Sequence, residues 1–207
     1  MSATALRFAC FTAALVAALA CVVSMPTSSH RAAAQAPDAK EPAKKDAAAS
    51  KAAFLAAYKV FMHPRCMNCH PNGDIPLQGD DSHLHFQNVK RNADGKGKFA
   101  LKCANCHQDV NLPGLNMPPG NPNWHLTPEN MPMVFQGKSP AELAKQMQDP
   151  KHNGGKSLEQ ILHHVSEDKL VLWGWSPGDG RKPVDTPHDE FVKQMRTWIE
   201  NGAAIPD

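Results

Sequence analysis

Six cysteines occur in the chain, and beyond position 21 every one lies in two like-spaced frames, Cys66-Met67-Asn68-Cys69-His70 and Cys103-Ala104-Asn105-Cys106-His107. No thiol is left over for a structural disulfide. The shortage matters because the chain from the first frame to about residue 136 is dense in Pro, Gly and Asn, with "NLPGLNMPPGNPNW" as the extreme case. Such composition predicts turning or extended backbone, and loops longer than about 15 residues are usually functional or disordered. Something other than regular structure must hold this part together, and a large buried group would supply the missing core.

Cys-x-x-Cys-His is the attachment signature of c-type haem. Two thiols three residues apart add to the two vinyl groups of the porphyrin, and the adjacent imidazole is then carried over the iron. Cys66 and Cys69 are expected to hold one haem c, with His70 as proximal iron ligand. Cys103 and Cys106 are expected to hold a second, with His107. One alternative is a zinc site made of the four thiols. Zinc ribbons usually separate their cysteine pairs by about 15–20 residues, whereas residues 70–102 make 33 here, and zinc leaves the repeated histidine unexplained. Another alternative, a redox dithiol, expects a thioredoxin-like α/β context that the sequence lacks.

The frames begin 37 positions apart. A separate module around each haem would be unusually small, so both are expected in one fused domain. A short echo, "CMNCHPNGDIPL" against "CANCHQDVNLPGL", hints at a duplicated attachment loop.

The N-terminus reads as an export signal: Arg7, the apolar run "FACFTAALVAALACVV", and small residues in "AAAQA" for cleavage after Ala34. The alternatives are an uncleaved anchor helix and a lipoprotein using Cys21. The expected organisation is a signal peptide over 1–34, a flexible Ala/Pro/Lys linker over 35–50, and a single di-haem cytochrome c domain over 51–207, acting in the periplasm. No later segment is apolar enough to span a membrane. Beyond the signal, basic and acidic side chains balance, which argues against a nucleic-acid partner. The local basic excess of Lys90, Arg91, Lys96, Lys98 and Lys102 is expected to be a solvated loop, or to steer docking or lie near haem propionates.

The fold class expected is all-α, cytochrome c-like, with few helices and long Pro/Gly-rich loops. Ala52 to Met62 has amphipathic spacing that ends before Pro64. "SPAE" from Ser139 and "SLEQ" from Ser157 are capping boxes, and "TPHDEFVKQMRTWIENG" has a Thr cap, an apolar face and a terminal Gly. No convincing strand alternation is present.

An electron-carrying haem is normally bound on both faces. The distal candidates are His85, beside Leu84 and Phe86; His125, after Trp124; His164, bordering the stripe Leu158, Ile161, Leu162 and Val165; and Met117 in "NMPPG". Bis-His ligation of at least one haem is expected from the three histidines. Trp173 and Trp175 pack in the core, shield a haem edge or form a docking patch.

With both frames in place, the chain resembles small exported di-haem c-type cytochromes. "CMNCHPNGDIPLQGDDSHLH", "PPGNPNWHL", "NGGKSLEQILHHV" and "VLWGWSPGDGR" are similar to a group labelled isoquinoline 1-oxidoreductase subunit. That resemblance runs from about residue 58 to the end and implies electron transfer beside a molybdenum hydroxylase or other dehydrogenase. No molybdenum or flavin site is visible, so the expected function is an electron carrier rather than an enzyme. The alternative is a small di-haem enzyme with one open iron site, a peroxidase or nitrogen-oxide reductase.

Overall fold

The computed structural model describes residues 45–207. The expected signal peptide and most of the expected linker lie outside the described residues. The first helix, α1 (Ala47–Phe61), begins at Asp46, whose carboxylate accepts the backbone N–H groups of Ala48 and Ala49. This corrects the expected linker boundary: residues 47–50 are a helical turn, because an aspartate cap and three alanines favour helix without any large apolar residue. Ser50 is fully buried; its hydroxyl donates to the Trp198 carbonyl at 2.8 Å and accepts from Ala204 N–H at 3.0 Å.

Both expected capping boxes form. Ser139 and Glu142 open α3 (Pro140–Gln148), and Ser157 and Gln160 open α4 (Leu158–Glu167). The last helix, α6 (His188–Glu200), starts after the expected Thr cap, with Pro187 at the cap position and no side-chain bond there. Thr186 is used otherwise: its carbonyl accepts from Trp175 Nε1 at 2.7 Å. Two shorter helices are α2 (Pro64–Met67) and α5 (Lys169–Leu172).

Packing of α1 on α6 forms the centre of the core. Phe54 meets Trp198 at 4.7 Å between ring centres, and Phe61 meets Phe191 edge-on at 5.3 Å. Leu143, Met147, Ile161 and Val165 close the core from α3 and α4. Trp175 packs against this core, the first of the roles expected for the Trp-Gly-Trp stretch; Trp173 does not belong to it.

Residues 71–136 contain only a two-strand hairpin and one 3₁₀ turn, as their composition predicts. The hairpin is β1 (Leu77–Gln78) paired antiparallel with β2 (His83–Leu84), too short to leave an alternating pattern in sequence. This segment supplies the main core with one buried residue, Phe135, and Met133 packs against it. It also holds most of the bare apolar side chains: Leu84, Phe86, Val110 and Leu115 are exposed, and Phe99 is 91% exposed. The regular structure among the described residues is thus mostly helical, with one compact core and a long irregular segment that leaves many of its apolar side chains exposed.

Arg91 corrects the expectation of a solvated basic loop. It is 0% exposed; Nη1 donates to Thr127 Oγ1 at 2.6 Å and Nη2 to the Gly73 carbonyl at 2.9 Å. A buried guanidinium thus ties two distant stretches of irregular chain. Among the described residues no helix is long and apolar enough to cross a membrane.

Candidate functional site

The first frame starts from His63, which caps α2 by accepting the Arg65 N–H on Nδ1. One continuous turn follows, with Cys69 N–H donating to the Cys66 carbonyl and His70 N–H to that of Met67. The second frame is a 3₁₀ turn over Cys103–Asn105, closed by the N–H groups of Cys106 and His107 on the Cys103 carbonyl. Both turns bring two thiols and an imidazole onto neighbouring positions.

The two imidazoles are oriented alike. His70 Nδ1 donates to the Met133 carbonyl at 2.7 Å, and His107 Nδ1 donates to the Pro119 carbonyl at 2.7 Å. A histidine whose Nδ1–H is fixed by a carbonyl has its tautomer set, leaving Nε2 as the free lone pair for a metal. Each ring also has an aromatic wall. His70 stacks on Phe135 at 3.8 Å between centres and 12° between planes; His107 stacks on Trp124 at 4.5 Å and 8°.

The two accepting carbonyls occupy equivalent places in a second, unforeseen repeat. Asn116-Met117-Pro118-Pro119 and Asn130-Met131-Pro132-Met133 share Asn-Met-Pro, and in each the fourth residue accepts from a frame histidine. The recurring tripeptide was the available sequence signal. Its pairing with the frames was not readable, because a carbonyl acceptor can belong to any residue.

Burial pulls the His70 imidazole down to about 4, opposed by its bond to Met133 and reinforced by the nearby His164, Arg91 and His125. Burial likewise pulls His107 down to about 4, with His85 and Arg181 adding to it and the Pro119 bond opposing. Both are neutral near pH 7, the form that ligates metal. Burial pushes the Cys66 thiol up to about 12 and the Cys69 thiol up to about 11, although part of each side chain remains accessible. Cys103 also raises Cys69, so the two frames approach within electrostatic reach of one another.

The distal candidates separate into two groups. His85 faces His107, with ring centres 6.3 Å apart. His125 and His164 lie near His70 and near each other. His125 Nδ1 donates to the Asn123 carbonyl at 2.5 Å, and His164 Nδ1 pairs with Asp168 at 3.3 Å, so either ring can keep Nε2 free. Met117 is 39% exposed and sits two residues before Pro119, on the chain that backs the Nδ1 side of His107. Trp173 backs the second site: it meets Trp124 edge-on at 5.0 Å, and its Nε1 donates to Asn111 Oδ1 at 3.0 Å.

Among the described residues no three His, Cys, Asp or Glu side chains gather as a metal-ion cluster. A four-thiolate zinc site requires such convergence. Haem does not, because the porphyrin brings four nitrogens and asks the protein for axial ligands alone. A redox dithiol works through a stabilised thiolate, and burial acts in the opposite direction on Cys66 and Cys69. The residues present fit haem: paired thiols beside oriented neutral imidazoles, each imidazole backed by an aromatic ring.

Comparison of the chain with protein-family models, curated proteins and solved structures finds no match in any of the three.

Proposed function

We propose that this protein is an exported di-haem c-type cytochrome that carries electrons between redox proteins. One observation carries the reading: both frame histidines donate Nδ1–H to a backbone carbonyl at 2.7 Å. Two like-spaced frames with matching locks, 63 and 12 residues from their acceptors, are not accounted for by core packing.

On this reading Cys66 and Cys69 anchor one haem c and Cys103 and Cys106 the other, with His70 and His107 as proximal ligands. Haem, when bound, supplies a one-electron couple. The chain's own residues do the remaining work. The carbonyls of Met133 and Pro119 hold each imidazole in one tautomer, Phe135 and Trp124 fix the ring planes, and burial keeps both rings neutral. Cys69 lies within electrostatic reach of Cys103, which supports two anchor points in one domain.

Export rests on the signal read in residues 1–34. The partner class, a molybdenum hydroxylase or another dehydrogenase, rests on the resemblance. A carrier needs both irons closed on both faces. The test is the ferrous spectrum of the haem-loaded protein, expected to be low-spin and nearly unchanged by carbon monoxide. High-spin features with full carbon monoxide binding at a site would overturn the carrier reading there.

One observation favours the alternative at the first site. His164 and Asp168 form an imidazole–carboxylate pair lining a cleft with Lys156 and Gln160, close to His70. Such a pair can serve a general acid. Peroxide turnover with a reduced donor, lost in His164→Gln, would favour an open-site enzyme.

A further inference from the structure

We infer that His85 and His107 are the two axial ligands of one iron, and that Asn68, inside the first frame, positions the hairpin that delivers His85 to the second site. The inference rests on the di-haem reading.

The distance is the first argument. Two imidazoles on one metal have ring centres separated by two bonds of about 2.0 Å plus roughly 1.1 Å from nitrogen to centre in each ring, about 6.2 Å in all. His85 and His107 stand at 6.3 Å, with planes 50° apart, a rotation that a shared axis permits. The 50° angle excludes a parallel face-to-face stack of the two rings. His107 already spends Nδ1 on the Pro119 carbonyl and has Nε2 to offer.

The surroundings of His85 supply the second. Its buried Nδ1 has no hydrogen-bond partner among the described residues, so hydrogen bonding to them does not explain where the ring sits. Its chain neighbours Leu84 and Phe86 are 60% and 78% exposed.

The delivery route supplies the third. The His85 N–H donates to the Pro76 carbonyl at 3.0 Å, immediately beyond the β1–β2 pairing. The hairpin is fastened at two backbone points, in β1 and in the turn that follows it, by Asn68, which is buried. The Asn68 carbonyl accepts from Leu77 N–H at 3.0 Å, and its Nδ2 donates to the Gly79 carbonyl at 2.9 Å. The variable residue before Cys69 in the first frame thus sets the register of the ligand for the second. The reverse crossing also exists: Trp124 stacks on His107 while its neighbour His125 lies near His70. Each site is completed by chain that belongs, in sequence, to the other.

The test uses the haem-loaded full chain. Intact mass first counts the porphyrins: fewer than two overturns the di-haem reading itself, and this inference with it. With two present, a crystal structure of the loaded protein is expected to show His85 bound to the iron of the haem held by Cys103 and Cys106. His85 free of iron, or on the other haem, overturns the inference and leaves the di-haem reading standing. In solution, His85→Ala is expected to let carbon monoxide bind about one haem of the two, while His85→Met restores six-coordination with a raised potential at that haem only. Unchanged carbon monoxide binding in His85→Ala overturns the ligand assignment. Asn68→Ala is expected to give a carbon monoxide-reactive fraction between parent and His85→Ala; a fraction equal to the parent's overturns the positioning role.

Discussion

Trp124 lies nearly parallel to His107, ring centres 4.5 Å apart, and Trp173 meets Trp124 at right angles with ring centres 5.0 Å apart. A second frame set in irregular chain is thereby tied to the Trp-Gly-Trp turn near the helical core. The link is completed by Asn111, which accepts from Trp173 Nε1 and from Gly120 N–H, next to the Pro119 carbonyl that holds His107. Trp124→Ala removes the stacked partner of His107 and the edge contact of Trp173. Urea unfolding is expected to show a loss of about 2 kcal/mol, since aromatic pairs are worth roughly 0.5–1.5 kcal/mol beyond the area they bury. No loss would mean that the stack does not support the second frame.

Ser50 fastens the first helix to the C-terminal end of the chain through two hydrogen bonds made in complete burial. Ser50→Ala leaves the Trp198 carbonyl and the Ala204 N–H without this partner. An unsatisfied buried group costs about 1–3 kcal/mol, so a shift of this size in the unfolding free energy is expected. Ser50→Thr, which keeps the hydroxyl, is expected to lose part of that to crowding against the helix pair.

These contrasts show what could be read in the chain. The Ser139 and Ser157 capping boxes were legible because a cap is a local side-chain pattern, and both formed. The start of α1 was missed because Asp46 precedes alanines that carry no apolar stripe. The cysteine frames and their histidines were legible as spacing. The carbonyl of Met133 was not, because it lies 63 residues from His70 and no side chain marks it. Arg91 looked solvated beside four lysines; its burial depends on Thr127 and Gly73, brought close by the fold alone.

Thiol chemistry separates the frames in chain produced without haem. Burial holds Cys66 and Cys69 protonated at pH 8, whereas Cys106 is exposed. Alkylation follows the thiolate. Peptide mapping after brief iodoacetamide treatment is expected to find Cys106 modified at least about tenfold faster than Cys66 or Cys69. Equal rates, or fastest reaction at Cys69, would support a reactive dithiol instead.

Acid should act on the third helix through its capping box. The Ser139 backbone N–H, and then its hydroxyl, hold the Glu142 carboxyl below its ordinary 4.5. A depressed carboxylate contributes stability that is fully present above pH 4.5 and is lost as pH falls through the lower folded-state value. Glu142→Gln is therefore expected to flatten that part of the stability–pH curve below 4.5 and leave the neutral plateau nearly parallel. A curve identical to the parent's below pH 4.5 would show that the cap does not form in solution.

Covalent porphyrin at both frames is the claim on which the rest depends. The direct measurement is the intact mass of protein matured in a haem-loading host, compared with Cys66→Ala/Cys69→Ala and Cys103→Ala/Cys106→Ala. The account predicts two porphyrin masses on the parent chain and one on each variant. A parent mass with no porphyrin added would contradict it.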